Sequence, residues 1–287
     1  MSAIFKREFK NSMQTMTGAI FIAYVLLWFG VYTAYYNLNY GVSDFAFTTA
    51  SVSFISLLAV PILTMRSFSE ERHNGTDKLL YSLPVKTAPI VLAKYFACVA
   101  VFAIPTLVIS LYPFILAQFG AVYLNTAYST VIAYFLLGCA LIAIGNFISS
   151  LTESQVISAI LSLGTILLLY FISSLSAKIP QTKTFSLIVL LAVSALVALV
   201  TWVLTKNPVA TGIVFLILAG ATVIFYIING EAFEGLVSNC LKSLDMFAKT
   251  ERFYEGVLDV KAIVYYLSVT VFFLFLTVQS VEKRRWN

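Results

Sequence analysis

Long apolar runs separated by short polar breaks dominate the chain. They fall at about residues 17–36, 47–66, 88–118, 127–150, 154–175, 185–204, 209–229 and 261–281. Each is long enough to cross ~30 Å of hydrocarbon as a helix rising 1.5 Å per residue. The pattern predicts eight helical spans with both termini on one side of a membrane. A β-barrel is disfavoured, because barrels alternate polar and apolar residues over ~10-residue segments. The tightest connection is Leu151-Thr152-Glu153-Ser154, where Ser150 and Thr152 are candidate caps.

Ahead of the first run, Phe5, Phe9, Met13 and Met16 fall near one helical face and Lys6, Arg7 and Lys10 elsewhere. This predicts an amphipathic elbow helix over residues 1–16, lying on an anionic inner leaflet. A signal peptide also starts basic and turns apolar, but no small-residue cleavage site follows, so an uncleaved first span is preferred. Pro105 and Pro113 predict kinks in the third span. Gly138 and Gly145 lie seven apart on the fourth, which predicts a close-packing face toward another helix, within the subunit in preference to a dimer surface.

Two loops are more than connectors. In the first, residues 67–87, the second span is expected to run on as far as His73. Gly75 suits the left-handed position that ends a helix. Thr76 is then a good N-cap, and Asp77 suits the positive end of the next helix. About two turns follow, with Leu79, Leu80 and Leu83 on one side, and Pro84 stops them. The second loop is the external segment 230–260. There Phe233, Leu236, Val237, Cys240, Leu241, Leu244 and Phe247 follow helical spacing, and Glu231, Glu234, Ser238, Asn239, Lys242 and Asp245 fill the other face. Asp259 is a candidate N-cap for the last span. Resting on the bilayer and gating an exit are both open uses of this segment.

Composition agrees with the pattern. The 287 residues are 60% hydrophobic and 11% charged, with mean hydropathy +0.94. Soluble domains average about 45–50% apolar and about 25% charged, so a soluble enzyme is ruled out. Of the 18 Lys and Arg residues, only Lys178, Lys183, Lys242, Lys249, Arg252 and Lys261 fall outside. The other twelve lie inside, as the positive-inside rule requires. The net charge of +5 therefore reports topology, and nucleic acid is not implied as a partner. Almost no charge falls at mid-membrane, which argues against a proton relay. Cys98, Cys139 and Cys240 share no short spacing and read as small packing residues. The chain has no G-x-x-x-x-G-K-[ST] phosphate loop. Its one histidine, His73, cannot build a metal site or triad alone. Glu70-Glu71 is reminiscent of glutamate-pair membrane proteases, but those need further histidines.

The stretch Arg66-Ser67-x-Ser69-Glu70-Glu71-Arg72, then Gly75-Thr76, Leu79-Leu80 and Leu83-Pro84-Val85, with Lys94 entering the third span, resembles the permease subunits of type-2 ABC exporters. Phe253, Gly256-Val257-Leu258-Asp259, Ile263 to Ser268 and Arg284-Arg285-Trp286 resemble the gliding-motility-type (GldF-like) branch of bacterial transporters. The family plan has six spans, so the pair at 185–229 looks like an inserted hairpin within a single permease domain, 1–287. The resemblance implies an all-α polytopic membrane protein in the bacterial plasma membrane, with both termini cytoplasmic. It implies a coupling helix around Thr76–Leu83 seated in an ATPase groove, with Glu70, Glu71, Arg72, Gly75, Thr76, Asp77, Leu79, Leu80, Leu83 and Pro84 as coupling residues. Phe253, Gly256 and Asp259 become external gate candidates. The implied partners are two cytoplasmic ATP-binding subunits, a second permease subunit (the same or a close relative), and an accessory membrane or external protein. ATP and Mg belong to the ATPase, and the chain itself holds no cofactor. The apolar bundle with scattered Ser, Thr and Tyr suits a hydrophobic or amphiphilic substrate. An intramembrane enzyme acting on lipid or peptide and a non-transporting scaffold are the alternatives.

Overall fold

In hydrocarbon every backbone N–H and C=O must be satisfied within the protein, and a helix does this segment by segment. All eight apolar runs accordingly fold as helices in the computed structural model, which describes residues 2–76, 86–120, 122–206, 208–228 and 230–285. In chain order these are α1 (Ser2–Gln14), α2 (Met16–Tyr32, continued by a π-helix over Thr33–Asn39), α3 (Phe45–Leu57), α4 (Val60–Thr64), α5 (Ser69–His73), α6 (Thr87–Ser110), α7 (Tyr112–Leu116), α8 (Leu124–Leu151) and α9 (Gln155–Lys178). Then come α10 (Lys183–Thr205), α11 (Pro208–Ile228), α12 (Leu236–Leu244), α13 (Glu251–Tyr254) and α14 (Val260–Arg285). Among the described residues, six helical stretches are long and apolar enough to cross a membrane. The expected second span is shorter, with an apolar stretch at Phe45–Leu57.

Local chemistry explains where the helices depart from the expected runs. The second run is split between α3 and α4, where Pro61 at the start of α4 has no N–H to continue the ladder. The third run bends differently at its two prolines. Pro105 is accommodated inside α6, whereas Pro113 sits in the first turn of α7, just after the break at Leu111. At the tight connection the N-cap is Ser154, whose Oγ accepts from the Ile157 N–H at 3.5 Å. Ser150 and Thr152 instead donate back to the carbonyls of Phe147 and Ile148.

The chain divides into two compact units, Met1–Leu168 with Met246–Asn287, and Leu169–Asp245. In the first, α8 is the central helix, packed by α14, α6, α3 and α4. Its glycines set the closeness of approach. A methyl group at Gly138 would run into the Phe102 ring, and one at Gly145 into Thr64. The expected close-packing face is thus used within the subunit. Around it Phe21, Phe29, Phe102 and Tyr134 are buried, with ring centroids 5.2–6.1 Å apart. Some hydroxyls inside the bundle are satisfied by their own helices, as in Thr49 to Phe45 O (3.1 Å) and Thr64 to Val60 O (3.1 Å). Two contacts place helix ends together. Arg284 Nη2 donates to Leu151 O (3.0 Å) and Arg284 Nη1 pairs with Glu153 (3.2 Å). The C-terminal end of α14 therefore lies at the same end of this unit as the α8–α9 turn.

In the second unit α10 and α11 lie against each other, and the Phe233 ring meets Phe225 and Tyr226 at 5.8 and 5.3 Å. The amphipathic helix expected over residues 233–247 is confined to α12. Gly235, at φ +68°, turns the chain immediately before it. Two residues expected on its polar face, Ser238 and Asp245, are buried, and Cys240, read as a packing residue, is exposed. Burial of Ser238 has a cause: its Oγ donates to Ser176 O at 3.0 Å.

Replacing Gly145 by alanine is expected to lower the melting temperature of the purified protein, since overpacking a filled core costs about 1–3 kcal/mol. Gly164→Ala is the control. Nothing lies within 4 Å of the added methyl, so helix propensity alone makes it neutral or stabilising, by up to about 1 kcal/mol. Thermal melts in one detergent compare the two.

Candidate functional site

At the end of the first unit where α8 finishes, the second span does not run straight on to His73. It breaks at residues 65–68 between α4 and α5. A break frees backbone groups, and here neighbouring helices take them up. Ser149 Oγ, on α8, accepts from the N–H groups of Phe68 (3.1 Å) and Ser69 (3.2 Å) and donates to Met65 O (3.2 Å). Lys94 Nζ, on α6, donates to Ser67 O at 2.7 Å. The kink is therefore a fixed joint held by two side chains.

Lys94 is only 2% exposed, and Glu71 beside it 20%. A buried ammonium is costly unless paired and hydrogen-bonded. Lys94 Nζ lies 3.0 Å from Glu71 Oε2 and 3.4 Å from Glu8 Oε1, with the Phe68 ring centroid 5.3 Å away. Arg7 closes the set from the outside: its Nη2 meets Glu8 Oε1 at 2.6 Å and Glu71 Oε1 at 3.0 Å. The hydrogen bond to Glu8 raises the Arg7 pKa, partial burial works against it, and the charges of Glu8 and Glu71 add to the rise. Two cations and two carboxylates thus join α1, α5 and α6 at one point. α1 reaches this point because the chain turns sharply at the extended Thr15. Gly18 then leaves room for the Ser12 carbonyl, which any side chain would strike.

Of the ten coupling candidates, Glu71 enters this junction, Glu70 lines the space beside it, and Arg72 is buried. Gly75 takes φ +67° and ends α5 as expected. Its N–H bonds Arg72 O (3.0 Å) and the Thr76 N–H bonds Glu71 O (2.9 Å), the paired bonds of a Schellman motif. Asp77, Leu79, Leu80, Leu83 and Pro84, and with them the expected coupling helix, lie outside the described residues.

The three external gate candidates sit together at the opposite end of α8. Phe253 is fully buried. Gly256, at φ +80°, passes so close to α8 that a Cβ would lie 3.1 Å from Thr126 Oγ1. Asp259 caps α14 through the Lys261 N–H (2.9 Å) and pairs with Arg252 (3.4 Å). Hydrogen bonds from Tyr266 to Met246 O (2.7 Å) and between Thr250 and Tyr254 (2.8 Å) fix the same segment.

Sequence reasoning missed Glu8 and Ser149. Glu8 carried a signal, as the only acid among the first sixteen residues. Ser149 carried none, being one hydroxyl among many in an apolar run.

These features define a multi-pass α-helical membrane protein whose N-terminal amphipathic helix is ion-paired to the loop after its second span. The chain belongs to the ABC-2 family of transporter proteins: that family's model matches residues 3–207, from α1 through α10 and across the whole junction. A comparison with curated proteins gave no match. The protein is accordingly a membrane component of an ABC transporter, a family that works with ATP-binding subunits.

Lys94→Ala is expected to destabilise the protein by about 3–5 kcal/mol, because it leaves a half-buried carboxylate uncompensated. Arg7→Ala, at an exposed pair, should cost about 1 kcal/mol or less. Adding Glu71→Ala to Lys94→Ala should cost less than the two changes summed. Denaturation in mixed micelles measures all four variants, and equal losses for Lys94→Ala and Arg7→Ala would show that the junction is not the structural joint.

Proposed function

We propose that the chain is the permease subunit of an ATP-driven exporter of a hydrophobic or amphiphilic substrate, energised by separate ATPase subunits. Family membership together with the junction supports this reading. The segment Thr76–Leu83, where the sequence places a coupling helix, begins three residues after α5 ends at His73. α5 is held to α6 and α1 through Glu71, Lys94 and Arg7. A force delivered to that segment by a closing ATPase would pass to three helices at once and tilt them as a body.

In this reading the junction faces the cytoplasm, both termini are cytoplasmic, and the membrane is the bacterial plasma membrane. Two permease subunits pair with two ATPases, which bind ATP and Mg, and an accessory membrane or external protein completes the assembly. Glu70, Glu71, Arg72, Gly75, Thr76, Asp77, Leu79, Leu80, Leu83 and Pro84 serve coupling. Phe253, Gly256 and Asp259 serve as the external gate. The gliding-motility-type assignment rests on the motifs from Phe253 onward, beyond the matched residues.

The test is a mild-detergent pull-down of the tagged full chain, with mass spectrometry of what accompanies it. A soluble subunit bearing a phosphate loop is expected in stoichiometric amount. Leu80→Asp or Glu71→Arg should lose that subunit by about tenfold or more, because each places a charge against a buried partner. If both variants retain the subunit and its ATP hydrolysis still responds to the permease, the coupling assignment fails.

A further inference from the structure

Beside the junction, α1, the ends of α4 and α6, and α5 with its flanking residues line an open cavity of about 530 Å³. One part of its wall is apolar, built from Leu63, Ala97 and Cys98; the rest is polar and charged. Seven charged side chains line it: Arg7, Lys10, Arg66 and Lys94 against Glu8, Glu70 and Glu71. The balance is one positive charge. The junction accounts for Arg7 and Lys94, each already satisfied by Glu8 and Glu71. Arg66 and Lys10 remain, with Glu70 as the one remaining acid in the wall, and among the described residues neither cation is ion-paired to a carboxylate.

Arg66 carries a second anomaly. Its Nε–H is buried and meets no protein acceptor. That orphaned donor faces protein and not the open space, but Arg66 lines the cavity, and the planar fork of a guanidinium without a carboxylate partner suits phosphate oxygens. Asn11, Ser12 and Thr15 add small polar groups to the same wall. The place of the cavity along the chain also matters. It lies where the amphipathic α1 gives way to α2 at Met16, and an amphipathic helix resting on a membrane would put that point where lipid headgroups end and acyl chains begin.

We propose that this cavity binds the phosphodiester headgroup of an anionic phospholipid. Arg66 and Lys10 engage the phosphate, and the start of an acyl chain lies on Leu63, Ala97 and Cys98. The lipid would fill the angle between α1 and the bundle and so hold the elbow against the junction. This goes beyond the transport reading and is independent of it, since it concerns the permease alone, without ATPase or substrate.

The test uses the full chain purified in a neutral detergent and titrated separately with phosphatidylglycerol, phosphatidylcholine and inorganic phosphate. Native mass spectrometry counts retained lipid, and thermal melting follows stabilisation. Phosphatidylglycerol should be retained and raise the melting temperature, with phosphatidylcholine weaker by about tenfold, the equivalent of ~1.4 kcal/mol. Arg66→Gln should remove most of that preference, and Lys10→Gln, at an exposed position that does not threaten folding, part of it. Arg66→Lys keeps the charge and should retain some preference. Equal retention of the two lipids overturns the proposal, as does a preference unchanged in Lys10→Gln and either Arg66 variant. Stabilisation by inorganic phosphate without retention of phosphatidylglycerol would make this a soluble-anion site and overturn the lipid assignment.

Discussion

An ammonium group cannot lie alone among apolar helices, and Lys94 lies there at 2% exposure. Its charge has to be met from whatever can be brought to it. Glu71 comes from α5, Glu8 from α1 and the Ser67 carbonyl from the break between α4 and α5. One desolvated charge therefore fixes the position of three chain segments far apart in sequence. Such a pair gives little net stability over an apolar replacement, but removing one partner is expensive. What it supplies is a single register for the elbow helix.

The two ends of α8 are built on different physics. At the junction the contacts are ionic, and the broken backbone is mended by Ser149. At the other end Phe253 is buried, Tyr266 donates to a backbone carbonyl, and Gly256 lies tight against Thr126. Between them Gly138 and Gly145 bring α8 to close approach with Phe102 and Thr64. In a lipid environment, where apolar surface gives no drive toward helix association, close packing and polar contacts must hold the bundle together. α8 has both along its length.

Much of this was legible beforehand. Helices at all eight apolar runs, the elbow over the first residues, the glycine face on α8 and the left-handed Gly75 follow from rules that act within a few residues. The misreadings share one cause. The span expected to continue to His73 is interrupted because Ser149 and Lys94 accept and donate where the helix ladder would have. Ser238 and Asp245 are polar by type yet buried, Ser238 because a distant carbonyl receives it.

The sequence by itself determined the membrane class, the helices and the sites where they cap or bend, because hydropathy, proline, glycine and charge act locally on the backbone. It also displayed each charged residue of the junction. Only the tertiary structure decided that Lys94, Glu71, Glu8 and Arg7 meet, and that Arg66, Lys10 and Glu70 are left over beside them. Pairing of buried charges depends on which helices pack together. No spacing along the chain records that a lysine at 94 must answer a glutamate at 8.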